Sequence, residues 1–188
     1  GFSDQAERRP WSVVRLENPY ISVAVLPEVG GKVWGATDKT SGREYLYTNK
    51  VMKFREIALR GPWTSGGIEF NFGIVGHSPN TATPVDYKIH QDPDGGVSVT
   101  VGALDLVSRT RWSVTVRAPK DKVYFETNGN WYNPTPFNQS YYFWSCGAIR
   151  TAEDLRYIFP GRWQIGHDYD VPLKSWPIDD QGRDISLY

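Results

Sequence analysis

Cysteine is almost missing from this chain, with Cys146 the only one. No intrachain disulfide can form, so packing and hydrogen bonds must hold the fold, and the compartment stays open on this count. Methionine is as scarce, at one residue. Net charge is missing too, because 21 Lys and Arg balance 21 Asp and Glu. Without a basic excess or stripe, neither nucleic acid nor an anionic membrane is an expected partner. No apolar run is long enough to span a bilayer, and no export signal is visible. There is no serine nucleophile elbow, phosphate-binding loop or Asp/Asn-rich calcium loop. No cofactor is therefore expected, and calcium has no motif to support it.

Aromatic side chains are what the sequence has in quantity: 8 Trp, 11 Tyr and 8 Phe in 188 residues. Tyr and Trp bury broad apolar faces while keeping a polar edge, which suits a sugar ring as well as a protein core. Strand propensity alone also favours aromatics, so a core role competes for every one of them.

Period-2 alternation dominates. Ile21–Leu26 follows the turn signal Asn18-Pro19 and reads as a strand. Pro27 to Gly31 breaks the pattern, Lys32–Thr37 resumes it, and Arg43–Tyr47 reads as a further short strand. Strands are also expected at Val85–His90, Val97–Leu106, Arg109–Arg117 and Val123–Trp131. Trp112, Val114 and Val116 would share one face of theirs. Tyr141–Ile149 reads as an apolar strand buried on both faces. Turns at Asp92 to Gly96 and Pro119 to Lys122 give a hairpin rhythm typical of antiparallel sandwiches. The expected fold is all-β, an antiparallel sandwich, with residues 1–10 a polar tail and 11–188 the domain. Residues 160–188 show no convincing strand. The chain opens on Gly1 and stops at Ile185-Ser-Leu-Tyr188, which reads as the start of an element. It is therefore expected to be a piece of a larger protein, with an open sheet edge inviting a second copy to pair.

Residues 48–83 differ, being rich in Gly, Pro, Asn, Thr and Ser, with Lys50–Leu59 the one stretch that reads as a short helix. Long irregular segments inside domains tend to be functional. Glu69 and His77 lie here. A carboxyl and an imidazole brought together can move a proton at a sugar, and Phe70 and Phe72 would desolvate the carboxyl. The competing reading is a structural Glu that accepts loop N–H groups. Asn71 belongs to the same segment, preceded by Arg60 and Trp63, where an Arg can hold a uronate or phosphate if it is not simply solvated. Asn130, Asn133 and Tyr141 surround Trp131, and amides beside aromatic plates are what a saccharide site uses. Turn chemistry explains Asn133-Pro134 equally well. His167, in Gly166-His-Asp168, is a further binding candidate, but its spacing to His77 matches no metal-ligand pattern. Cys146 reads as a buried small hydrophobe.

Asn18-Pro-Tyr-Ile-Ser-Val-Ala-Val-Leu-Pro-Glu-Val-Gly-Gly-Lys-Val-Trp34 resembles the opening of galactose-mutarotase-like proteins. Gly66-Gly-Ile-Glu-Phe-Asn-Phe-Gly73, and Asn130-Trp-Tyr-Asn-Pro-Thr-Pro136 followed by Tyr141-Tyr-Phe-Trp144, are similar to a bacterial domain of unknown function, DUF5107. That domain is often followed by tetratricopeptide repeats. The resemblance implies a supersandwich with a carbohydrate site on its concave face and names no reaction, since the fold serves epimerases, hydrolases, lyases and noncatalytic domains. In mutarotases a His and a late Glu do the acid–base work, and the resemblance implies that the counterpart of that Glu is expected beyond residue 188.

Two functions remain. One is a saccharide-binding or saccharide-processing domain of a larger glycan-active protein, periplasmic or extracellular in a bacterium unless it stays in the cytoplasm. The other is a noncatalytic structural or protein-interaction sandwich. A pair of carboxylates across one cleft would favour a hydrolase.

Overall fold

A computed structural model describes residues 5–56, 62–72, 77–165 and 173–187. It divides into two compact units, residues 1–149 and 150–188. The first is a sandwich of two antiparallel sheets, as expected.

The strands of this unit are β1 (Val14–Glu17), β2 (Ile21–Leu26), β3 (Lys32–Asp38), β4 (Arg55–Glu56), β5 (Pro62–Trp63), β6 (Ile68–Phe72), β7 (Asp86–Gln91), β8 (Val97–Leu104), β9 (Arg111–Ala118), β10 (Glu126–Tyr132) and β11 (Phe143–Gly147). One sheet has the order β1-β2-β3-β6-β11 and the other β10-β9-β8-β7, while β4 and β5 pair separately. Alternation writes the core directly. Ile21, Val23 and Val25 of β2 are fully buried, as are Val99 and Val101 of β8 and Val116 of β9, with Val114 of β9 nearly so. Phe72 lies 5.0 Å from Trp112 in a near-parallel stack, so the two sheets meet through aromatic faces. Such a pair adds about 1 kcal/mol beyond its area burial.

Asn18 ties turn and sheets together. Its Oδ1 accepts the Tyr20 and Ile21 backbone N–H groups, and its Nδ2 donates to the Pro119 and Lys122 carbonyls of the β9–β10 turn. The double glycine after β2 does similar work by close approach. Both Gly30 and Gly31 have positive φ, and a Cβ on Gly31 would come within 2.6 Å of the Val101 side chain.

Several elements differ from the sequence reading. Tyr141–Ile149 is not a doubly buried strand. Only Phe143–Gly147 pairs, with β6 alone, and Tyr141, Tyr142 and Phe143 are exposed. It is an edge strand, and apolarity by itself does not distinguish an edge from a centre. Arg43–Tyr47 makes one isolated bridge, Thr37 to Glu44, instead of a strand. Lys50–Leu59 holds no helix in its described part, where Arg55 and Glu56 belong to β4. β1 was not anticipated, because Arg15 and Glu17 interrupt a strand only four residues long. In the second unit β12 (Trp163–Gln164) pairs with β13 (Lys174–Ser175), where no strand was expected.

Candidate functional site

The segment read as irregular contains the decisive strand. β6 lies between β3 and β11 and is buried on both faces. Phe70 and Phe72 enter the core between the sheets. Glu69 and Asn71 alternate to the opposite face, where they are 3% and 0% exposed. The two phenylalanines therefore do not desolvate the Glu69 carboxyl, contrary to the sequence reading. Its burial comes from the residues that cover the other side of the sheet.

Gly67 makes this placement possible. It has a φ of +66°, and a Cβ there would sit 1.9 Å from the Val33 carbonyl oxygen. Its N–H donates to the Tyr47 carbonyl and its own carbonyl accepts from Ala148. The backbone thus turns tightly into β6 against β3, as only glycine allows.

Glu69 and His77, proposed together from the sequence, do meet: His77 Nδ1 is 2.5 Å from Glu69 Oε1. Asn71 Nδ2 donates to the same oxygen at 2.9 Å. Asn71 Oδ1 in turn accepts the Ser78 N–H at 2.8 Å, which pins the loop carrying His77. Glu69 Oε2 is buried with no hydrogen-bond partner among the described residues. A carboxylate only accepts, so the short contact places the imidazole proton on Nδ1 when Glu69 is ionised, leaving Nε2 as a base.

Aromatic rings enclose the imidazole. Trp144 meets it edge-on with centroids 4.7 Å apart, and Trp63 lies at 6.2 Å. Trp144 reaches the site because it pairs with Asn71 in the β11–β6 register, just as Cys146 pairs with Glu69. The Trp144 Nε1 is buried without an acceptor among the described residues.

Lys32 completes this face. It is 2% exposed, and its Nζ donates to the Thr64 carbonyl at 2.8 Å. Burial pulls its ammonium down to about 8, opposed by the nearby Glu69 charge and less by Cys146. The Cys146 thiol is pushed up, first by burial and then by Glu69. Cys146 is half-buried on this polar face, and not a core residue.

The other sequence candidates do not join this cluster. Asn130 lies in an open trough of about 740 Å³ on the outer face of the four-stranded sheet, with Asp86, Lys88, Arg111 and Tyr132. Trp131 alternates to the opposite face, donates from Nε1 to Thr110 Oγ1 and packs on Tyr141 at 5.1 Å. Asn133 makes the turn: its Oδ1 accepts from Thr135 N and Oγ1, and its Nδ2 donates to the Phe137 carbonyl. Asn130 and Trp131 are neighbours in sequence on opposite sides of a sheet, so they cannot share one sugar. Arg60 and His167 lie outside the described residues. No group of three or more potential metal-ligating side chains occurs among the described residues.

Lys32 and Trp144 were the omissions. The available signal was alternation: Lys32 sits beside Val33 in a core strand, and Trp144 is two residues from Cys146 in another.

Among solved structures, the chain is similar to a TPR-domain containing protein from Parabacteroides distasonis. It is 30% identical with a TM-score of 0.79, and the match covers 86% of this chain and 28% of that one. The chain therefore spans under a third of the length of that protein. A family model described as a domain of unknown function, DUF5107, matches residues 1–188, and the chain belongs to that family.

Proposed function

We propose that this domain binds a saccharide over the outer face of the five-stranded sheet, as part of a larger glycan-active protein, with His77 and Glu69 supplying acid–base chemistry. The observation that carries the reading is the Glu69–His77 contact at 2.5 Å enclosed by Trp63 and Trp144. Aromatic plates offer the apolar surface a pyranose face stacks on. In this reading His77 Nε2 takes a proton from a sugar hydroxyl or returns one to a ring or glycosidic oxygen. Glu69 fixes the tautomer and stabilises the imidazolium that forms, the same division of labour as in other His–carboxylate pairs. A single carboxylate in the cluster among the described residues suits proton shuttling at an anomeric or α-carbon better than a two-carboxylate hydrolysis. Kinship with galactose-mutarotase-like proteins and a periplasmic or extracellular location belong to this proposal. So does self-association through the open edges of β7 and β10.

Calorimetric titration with a panel of neutral and acidic oligosaccharides tests the reading. Binding that falls at least tenfold in Trp63→Ala and Trp144→Ala, but persists in Glu69→Gln, is the expected result. Turnover by the full-length parent should vanish in Glu69→Gln. A folded sample that binds no member of the panel would remove the saccharide reading and favour the structural or protein-interaction role.

A further inference from the structure

The charge arrangement beneath His77 has an unused member. Val33 of β3 pairs with Ile68 of β6 in an antiparallel register, and one step along it sets Lys32 beside Glu69. Glu69 pairs in turn with Cys146 of β11. Lys32, Glu69 and Cys146 thus form one row across three strands on the face away from the core. Near this row, the β2–β3 register shifts between Ala24 and Val25. Bulges of this kind re-aim side chains beside functional sites.

We propose that Lys32 is the buried counter-cation of the Glu69–His77 pair, a positioning residue that keeps Glu69 a carboxylate and His77 a neutral imidazole with its proton on Nδ1. Lys32 is among the most buried side chains of the protein, at 2% exposure, yet its hydrogen-bond acceptor is an uncharged carbonyl. An ammonium so buried needs a negative charge close by. The carboxylate in its own row is the negative charge that acts on Lys32 and keeps it protonated, from beyond direct ion-pair contact, while the Trp34 ring lies 5.6 Å from Nζ. Among the described residues, the ionisable groups facing Glu69 are Lys32 from β3, Cys146 from β11 and His77 from the segment after β6. The thiol is held uncharged by its surroundings. One buried carboxylate therefore has two possible cations. While Lys32 carries the charge, His77 need not, and Nε2 stays free to act as a base. Without Lys32, the uncompensated carboxylate recruits a proton onto His77, and the resulting imidazolium has no basic nitrogen. The role of Nε2 in turnover rests on the proposed function. The proton arrangement itself does not.

The test uses no sugar, so it can fail or succeed independently of the saccharide reading. Long-range nitrogen–proton NMR near neutral pH distinguishes a neutral imidazole, with one protonated and one bare nitrogen, from an imidazolium. Wild-type His77 should be neutral with the proton on Nδ1. Lys32→Met should convert it to imidazolium, Lys32→Arg should keep it neutral, and His90 should not change in either. An imidazolium in the wild type, or a neutral His77 in Lys32→Met, overturns the proposal. Stability provides a second readout if Lys32→Met folds poorly. Lys32→Met combined with Glu69→Gln should fold with an equilibrium constant at least tenfold better than the two single losses imply, because a neutral pair leaves no orphan charge. A double variant no more stable than Lys32→Met also overturns it.

Discussion

Gly67 can be tested against another glycine of the same backbone conformation. Gly67 and Gly42 have φ values of +66° and +72°. Alanine at either position meets the left-handed penalty, about 1–2 kcal/mol. Only Gly67 adds a collision, because its Cβ would lie 1.9 Å from the Val33 carbonyl oxygen, whereas nothing lies within 4 Å of the same atom at Gly42. The obstacle is backbone in a sheet and not the end of a flexible side chain, so β3 and β6 must part. Overpacking of this kind costs about 1–3 kcal/mol. Gly42→Ala should thus lose about 1 kcal/mol and Gly67→Ala about 3 kcal/mol or more. At roughly 2–4 °C per kcal/mol, the melting points should fall by about 3 °C and about 9 °C. Differential scanning calorimetry of both variants at one pH reads the gap. Equal losses would show that β3 and β6 do not approach as described. An intact Glu69–His77 contact in Gly67→Ala, seen by NMR, would show that the turn does not set the site.

Asn18→Ala should lose about 2–3 kcal/mol in urea unfolding, since it removes two donated and two accepted hydrogen bonds and strands buried backbone groups. Phe72→Ala should cost about 3–5 kcal/mol and weaken the near-ultraviolet dichroism of Trp112, on which Phe72 stacks. For Lys32 the sign follows from proton uptake. Its folded value of about 8 lies below the ordinary 10.5, so the unfolded chain binds more protons between them. The burden of burying its cation is in full force below pH 8 and is relieved as pH rises towards 10.5, by roughly 3 kcal/mol in all. The difference in stability between wild type and Lys32→Met should therefore shift in favour of wild type over that window, and a flat difference would refute the burial.

Period-2 alternation made the sandwich legible in β8 and β9, where Val99, Val114 and Val116 are each followed by a polar residue, and less cleanly in β2, where buried Val25 is followed by the buried Leu26. It failed where tertiary position decides. β11 is apolar but lies at an edge, and β6 sits among turn residues yet is central. Composition around β6 reflects Gly66 and Gly67, which serve close approach, so a strand looked like a loop. The pairing of Glu69 with His77 was readable because the two are eight residues apart in one segment. The contributions of Lys32 and Trp144 depend on cross-strand register, which no local window contains. Asn130 and Trp131 show the reverse error, since adjacency in a strand means opposite faces.

The two-sidedness of β6 has a consequence for how this family can vary. Most strands of a sandwich have a solvent side on which substitutions drift freely. In Ile68–Phe72 the odd and even positions answer to different demands, one to sheet packing and the other to a charged cluster. No residue there is spare, and a change that merely shifts the phenylalanines moves the carboxylate with them, because both hang from the same five peptide units. Substitutions tolerated for folding at Phe70 or Phe72 should then surface as altered chemistry, and compensation should come from β3 and β11, which flank the strand. Divergent members of the family would be expected to change these three strands together or not at all.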